Sequence, residues 1–362
     1  MGTPKQLGKG AFGCAYKPPV CTSVFDTGDP NYLVGKIATP EGVKKEIAVS
    51  KILTPCQACS DYFGILTGNS CDPTITSELK KECHIIDAEP KLVKSYSSKY
   101  GGIPLNKYLE ANKVSMDWLY DQYAHLLEGL VILKGYKILH RDIKSDNILV
   151  DEKGVCRIID FGMSMINPDG DALELELELG SLGFYQIWPI WYNAYIDTSN
   201  HGTYYYAYEH IAKFFDKNYV KGTATDPIRG ILDDNEPNYV DRVVVPNVYK
   251  VDVYSLTDVF NDAYLALKKT NPASGPKRQC LEETILKIFV LDANTQYDAT
   301  QALQYMRECY KRKTATAPSK ISPPQRVAAL TQIKSLKING LVLVDSKWTS
   351  DDTLVLKFDS SS

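Results

Sequence analysis

The strongest constraint on this chain is the run His140-Arg141-Asp142-Ile143-Lys144-Ser145-Asp146-Asn147, with Asp160-Phe161-Gly162 following 18 residues after Asp142 (160 minus 142). The run fits H-R-D-x-K-x-x-N with its five fixed positions, a match that chance produces in a chain this long on the order of once in ten thousand. Between the two motifs, Ile148 to Val150 and Val155 to Ile159 read as short strands joined by a turn at Asp151-Glu152-Lys153-Gly154. That hairpin folds Asp160 back beside Asn147. Two carboxylates and an amide then face one point, an arrangement suited to a magnesium-bound nucleotide.

Upstream, Gly8-Lys9-Gly10-Ala11-Phe12-Gly13 ends 23 residues before Lys36 (36 minus 13), and β-prone residues flank both. The order is strand, glycine loop, strand, connection, strand, and the glycines let backbone N–H groups come close to phosphates. Val43, Ile47, Ile52 and Leu53 recur at helical spacing over Glu41 to Leu53, and Pro55 ends the helix. A long amphipathic helix is expected over Met116 to Lys134, and further helices over Asp252–Lys268, Leu281–Leu291 and Ala299–Tyr310.

With these motifs in place, the chain resembles the protein kinase family from about Leu7 to Tyr310, and its serine/threonine branch in particular because of Lys144. The resemblance implies a bilobal α+β fold, with a β-rich N-lobe over about 1–100 and a mainly helical C-lobe over about 101–310. It implies ATP and Mg2+ as cofactors, Mn2+ being able to substitute, and protein substrates as partners. Asp142 is then the catalytic base, and Lys144 steadies the transferring phosphoryl group. Asn147 and Asp160 hold the metal ions. Gly8, Gly10, Ala11, Phe12 and Gly13 cover the phosphates, and Lys36 contacts the α and β phosphates. Lys36 needs a helix glutamate as partner: Glu46 is the choice, although ten residues (46 minus 36) is a short gap, and Glu41 is the alternative. Tyr100-Gly101-Gly102 stands where the adenine-receiving hinge falls, and Asp252 of Val251-Asp252-Val253-Tyr254-Ser255-Leu256 is a structural brace for the catalytic loop.

The chain also departs from the family pattern. Where A-P-E is expected it has Trp188-Pro189-Ile190, and where the arginine paired with that glutamate is expected it has Asp292-Ala293-Asn294-Thr295-Gln296-Tyr297. Losing both partners leaves no unpaired buried charge, so an apolar substitute built from Trp188, Trp191 and Tyr192 is expected. From Asp160 to Asp252 is 92 residues (252 minus 160), which implies an insertion over about 197–250. The acidic run Leu173 to Leu179 offers a glutamate in place of an activating phosphate at Arg141, with Ser164 and Ser181 as the phosphosites if none does so. The front segment up to Pro19 and the Trp-Pro motif resemble kinases of large nucleocytoplasmic DNA viruses. Two other classes stay open: a nucleotide-binding pseudokinase scaffold, and a kinase of a small molecule or lipid.

Composition sets limits on the rest. Lys plus Arg is 41 against 44 Asp plus Glu, a net charge of -3 that does not advertise a nucleic-acid partner. No run is apolar enough for a membrane span, and the first ten residues carry no secretory signal, so a cytoplasmic protein is expected, in host cytoplasm or virion if viral. Nine scattered cysteines fit free thiols in a reducing compartment, with Cys56, Cys59, Cys71 and Cys83 as a weaker zinc set. Residues 311–325 read as a linker, and a C-terminal extension over 326–362 has a possible β-hairpin around Asn339-Gly340. Oligomeric state is not legible.

Overall fold

In the computed structural model, the glycine-rich start folds as a strand pair, β1 (Lys5–Gly10) and β2 (Gly13–Lys17), on one edge of a sheet. The structure describes residues 3–10, 13–21, 33–88, 93–170, 187–189, 191–192, 243–270, 275–290, 292–315, 337–338, 341–348 and 354–359. Ala11, Phe12, the acidic run 173–179, Ser181 and residues 197–242 of the expected insertion lie outside them. The chain divides into two units, Met1–Glu308 and Cys309–Ser362.

In the first unit, β3 (Leu33–Ala38) is followed by α1 (Lys44–Leu53), α2 (Cys59–Tyr62), β4 (Phe63–Gly64) and β5 (Leu66–Cys71). Then come α3 (Ser77–Glu82), α4 (His84–Ala88) and β6 (Lys94–Lys99). The sheet runs β1-β2-β3-β6-β5, every neighbour antiparallel. Period-two alternation splits it into two faces. Ala15, Val34 and Lys36 look into a cleft. Cys14, Tyr16 and Ile37 are buried on the other face under Leu79, Cys83 and Ile86 of the α3–α4 excursion and Val93. Thr76 starts α3 by accepting a hydrogen bond from the Leu79 backbone N–H at 3.2 Å. Helix α1 buries Glu46, Val49, Ser50 and Leu53, a three-and-four stripe, and stops where Pro55 forbids another turn.

The rest of this unit is mainly helical. After β7 (Ile103–Pro104) and α5 (Leu105–Ala111), helix α6 (Met116–Gly135) begins at Ser115, whose hydroxyl accepts the Trp118 N–H at 3.0 Å. Strands β8 (Ile138–Leu139), β9 (Ile148–Val150), β10 (Cys156–Ile159) and β11 (Met165–Ile166) follow. They make two small sheets, β4-β10-β9-β7 and β11-β8. Helix α7 (Lys250–Thr270) packs on α6, with Tyr123 and Phe260 rings 5.3 Å apart and a 2.7 Å hydrogen bond between the Tyr123 and Thr257 hydroxyls. Helices α8 (Pro276–Ile288) and α9 (Ala299–Thr314) complete the order. Cations Lys311, Arg312 and Lys313 favour the C-terminal end of α9, which therefore continues into the segment read as a linker from 311. Val244 and Val248, inside the segment expected to be inserted, are core residues beside Trp188 and Trp191.

In the second unit, β12 (Lys337–Ile338), β13 (Leu341–Trp348) and β14 (Leu354–Asp359) form an antiparallel three-stranded sheet on both sides of the Asn339-Gly340 position.

The cysteines overturn the expectation of free thiols. Cys14–Cys83, Cys21–Cys71 and Cys56–Cys59 are disulfides with Cα separations of 5.9, 6.3 and 5.3 Å. Cys280 and Cys309 are disulfide-bonded as well, and buried Cys156 is the free thiol among the described residues. The proposed zinc set is thereby distributed over three different disulfides. Scatter along a sequence carries no information on proximity: folding α3 and α4 over the sheet is what brings Cys83 to Cys14, 69 residues away. The inference from reduced thiols to a reducing compartment falls with it. No described helix is long and apolar enough to cross a membrane.

Candidate active site

Strand β3 points Lys36 into the cleft, where its ammonium lies 2.6 Å from Glu46 Oε2 and 3.0 Å from Asp160 Oδ1. Glu46 reaches Lys36 despite the short gap because α1 begins only at Lys44, so the glutamate falls in the first helical turn. Glu41, the alternative partner, is 82% exposed and pairs with Lys44 instead. Burial works against charge on Lys36, yet the two carboxylates win and hold its pKa above the ordinary lysine value. Burial raises Asp160, but the Lys36 charge and hydrogen bond, His140 and the Gly162 N–H bring it below the usual aspartate range. For Glu46, burial is the largest influence and leaves it above the usual range, with Lys36 opposing.

Asp160 has a left-handed backbone, φ 65°, which turns its carboxylate toward Lys36 while Phe161 enters the core. The Phe161 ring lies 4.7 Å from that of His140 and 5.9 Å edge-on from that of Phe63, which pairs with Ile158 where β4 runs parallel to β10. Arg141 is also left-handed, φ 67°. That conformation is fixed by buried Asp252, whose two oxygens accept the backbone N–H groups of His140 at 2.7 Å and Arg141 at 2.8 Å. The brace expected from the sequence is thus a pair of hydrogen bonds.

The loop so held brings the remaining motif residues together. Lys144 Nζ lies 3.0 and 2.9 Å from the Asp142 oxygens. The Asn147 side-chain amide donates to Asp142 O at 2.8 Å and to Oδ2 at 2.7 Å, leaving its own carbonyl oxygen as an acceptor. That carbonyl and the Asp160 carboxylate both belong to residues lining the cleft, and both are oxygen donors of the kind hard divalent ions take. The cleft measures about 560 Å³, with Gly8, Gly10 and Gly13 in its roof and apolar Val34, Leu149 and Ile159 in its walls.

Where the hinge is expected, Lys99, Gly101 and Gly102 line the cleft, whereas Tyr100, expected to bind the nucleotide, is not among the lining residues: its ring lies under the Lys17 ammonium, 3.4 Å from ring centre to nitrogen. Gly102 has φ +107°, and any Cβ there would land on the Val150 carbonyl, so only glycine fits. Gly35 has a different reason: a Cβ would come within 2.7 Å of Ser95 Oγ and 3.0 Å of Pro19. Ser164 is buried, its hydroxyl 3.5 Å from His140 O, and so is not presented for modification.

The absent ion pair has the expected apolar replacement, Trp188 and Trp191 each in T-shaped contact with Tyr192 in one buried cluster. The sequence did not disclose its polar part. Trp191 Nε1 donates to Gln296 Oε1 at 2.8 Å, and Gln296 Nε2 donates to Lys250 O at 3.1 Å. Trp188 Nε1 donates to Arg141 O at 2.7 Å, tying this cluster to the His140–Asn147 loop.

Residues 91–184 match the protein kinase domain model. Serine/threonine-protein kinase dst4 of Dictyostelium discoideum is 31% identical over 169 residues, 44% of this chain and 29% of that protein. Serine/threonine-protein kinase BCK1/SLK1/SSP31 of Saccharomyces cerevisiae is 50% identical over 46 residues, 13% of this chain and 3% of that protein. Tyrosine-protein kinase SRK3 of Spongilla lacustris is 30% identical over 79 residues, 22% of this chain and 24% of that protein. The chain therefore spans less than a third of each of these curated relatives.

Proposed function

We propose that this chain is an ATP-dependent serine/threonine protein kinase. The observation that carries the reading is the convergence of Lys36, Glu46 and Asp160 on one side of the cleft with Asp142, Lys144 and Asn147 on the other. Phosphoryl transfer asks for positioning and charge neutralisation rather than covalent chemistry, and these groups are of that kind. Asp142 orients the acceptor hydroxyl and takes its proton. Lys144, already on the Asp142 carboxylate, steadies the group in transit, and Lys36 steadies the nucleotide phosphates while Glu46 fixes the lysine's position. Asn147 and Asp160 would hold Mg2+, or Mn2+ in its place, and the ion when bound neutralises phosphate charge.

Lys144 and the dst4 and BCK1/SLK1/SSP31 relatives support serine or threonine as acceptor; the SRK3 match makes tyrosine the alternative to test. We further propose an insertion between the activation segment and α7, a glutamate of the 173–179 run in the place of an activating phosphate, and a viral kinase of the host cytoplasm or virion. The last rests on the front segment up to Pro19 and on Trp188-Pro189, and the disulfides weigh against a reducing setting. Incubation with γ-labelled ATP and generic protein acceptors, followed by phosphoamino-acid analysis, tests the reading. Label on serine or threonine is expected; label on tyrosine alone would overturn the specificity, and no label on any acceptor the activity.

A further inference from the structure

The segment Lys17–Cys21 runs behind the cleft as a strap. At one end the Lys17 ammonium sits on the Tyr100 ring, beside the cleft-lining residues Lys99 and Gly101. In the middle, buried Pro19 lies against Gly35, the residue immediately before Lys36, so closely that no side chain fits there. At the other end, Cys21 is bonded to Cys71 of β5, and Cys71 pairs with Ser95 of β6, whose hydroxyl also faces Gly35. The disulfide therefore closes a circuit from strap to β5 to β6 to β3 and back to the strap. Cleft-face Lys36 therefore directly follows the glycine against which Pro19 packs.

Access differs among the disulfides. Cys14 and Cys83 are 1% and 0% exposed, enclosed with Leu79 and Ile86. Cys21 is only half-buried and Cys71 is 7% exposed, so this bond is less enclosed than Cys14–Cys83. We propose that Cys21–Cys71 is a thiol–disulfide exchange site whose oxidised form tightens the nucleotide cleft, an inference that rests on the kinase reading for the ligand. A dithiol reductant attacks Cys21 Sγ, the Cys21–Cys71 bond breaks, and Cys71 leaves as a thiolate that takes a proton. The reductant's second thiol then releases Cys21, so the protein gains two thiols and the dithiol becomes a disulfide. The freed strap lets go of Gly35 and Tyr100, loosening β3 and the hinge together.

The test uses the full chain, treated with a mild dithiol and then with an alkylating agent whose positions are read by mass spectrometry. Amide hydrogen exchange over residues 33–38 is measured without nucleotide, and Mg-ATP affinity is measured alongside. Reduction at Cys21 and Cys71, ahead of Cys14 and Cys83, is expected to quicken exchange in β3 and to weaken Mg-ATP roughly tenfold, the order of a coupling between two sites. Reoxidation should restore both. A Cys21→Ser/Cys71→Ser chain should be weak from the start and indifferent to reductant, while Cys56→Ser/Cys59→Ser should keep the full response. Unchanged exchange and affinity with Cys21 and Cys71 shown alkylated would overturn the proposal and leave the kinase reading intact, as would alkylation of Cys14 and Cys83 first. Faster exchange in a protein that takes up no nucleotide even when oxidised would overturn the kinase reading and leave the opening of the strap standing.

Discussion

Two regions flank the His140–Asn147 loop and solve the same packing problem in opposite ways. Around Lys36, three charged groups stay partly desolvated at 2.6 and 3.0 Å, at the cost that burying charge always carries. Around Trp188 and Trp191, where the family pattern has a glutamate and an arginine, the charges are gone and a neutral Trp191–Gln296 hydrogen bond inside an aromatic cluster takes their place. On the proposed kinase reading, charge is kept where a phosphate or a cation would be met and dispensed with where it only joins two segments. The comparison predicts that changes in the first region remove activity and spare the fold, and that changes in the second do the reverse.

The largest effect belongs to Asp142. Asp142→Asn keeps size and hydrogen bonding to Lys144 in part, so the thermal midpoint should hold while the turnover rate falls about a thousandfold or more, within the range for a lost general base. A comparable loss of stability would break the comparison. Chelating divalent metal should abolish transfer as well, and adding Mg2+ or Mn2+ back should restore it, read by the same transfer assay.

Gly102→Ala comes next, because its Cβ would strike the Val150 carbonyl from a left-handed backbone. A loss of about 1–3 kcal/mol of stability is expected by denaturant titration, the order for strained φ/ψ with overpacking. Smaller again is Trp191→Phe, which leaves Gln296 Oε1 without its donor; about 1–2 kcal/mol should go, with turnover within about twofold of the parent. Adding Gln296→Leu should recover part of that loss, which a double-mutant cycle reads directly. A Trp191→Phe chain that folds well and fails to turn over would place this cluster in the chemistry.

Acid titration sharpens the contrast. Lys36 holds Asp160 below its ordinary value, so the stabilisation is present above the free aspartate pKa of about 3.9 and is lost as pH falls through the lower folded value. In Lys36→Met the lysine's charge and hydrogen bond are gone and burial is opposed only by His140 and the Gly162 N–H, so the Asp160 pKa lies higher than in the parent and that chain loses less stability on acidification. The stability gap between the two should narrow as pH falls; a gap that stays constant would mean that Lys36 does not set the Asp160 charge.

Much of the cleft was legible because its residues come from motifs with fixed spacing. Lys36, Asp142, Asn147 and Asp160 stand together as their intervals imply, and Glu46 followed from helical periodicity once α1 was placed. The hinge strand was harder to see. Strand β6 reads Lys-Ser-Tyr-Ser-Ser-Lys and buries Ser95 and Ser97, so hydrophobic alternation gives no signal there. Helices α3 and α4 were also passed over, although Thr76 carries a cap signature that could have marked the first of them. The Cys14–Cys83 and Cys21–Cys71 pairings and the Trp191–Gln296 bond depend on segments far apart in the chain meeting in space, and no local pattern encodes that.

The most direct measurement pairs Mg-ATP binding with phosphoryl transfer in the parent chain and in Asp142→Asn. A cleft built for chemistry predicts that both proteins bind nucleotide with similar affinity and that only the parent transfers label. Equal binding with no transfer by either protein, to itself or to any acceptor, would contradict it and make the charged region a nucleotide-holding scaffold.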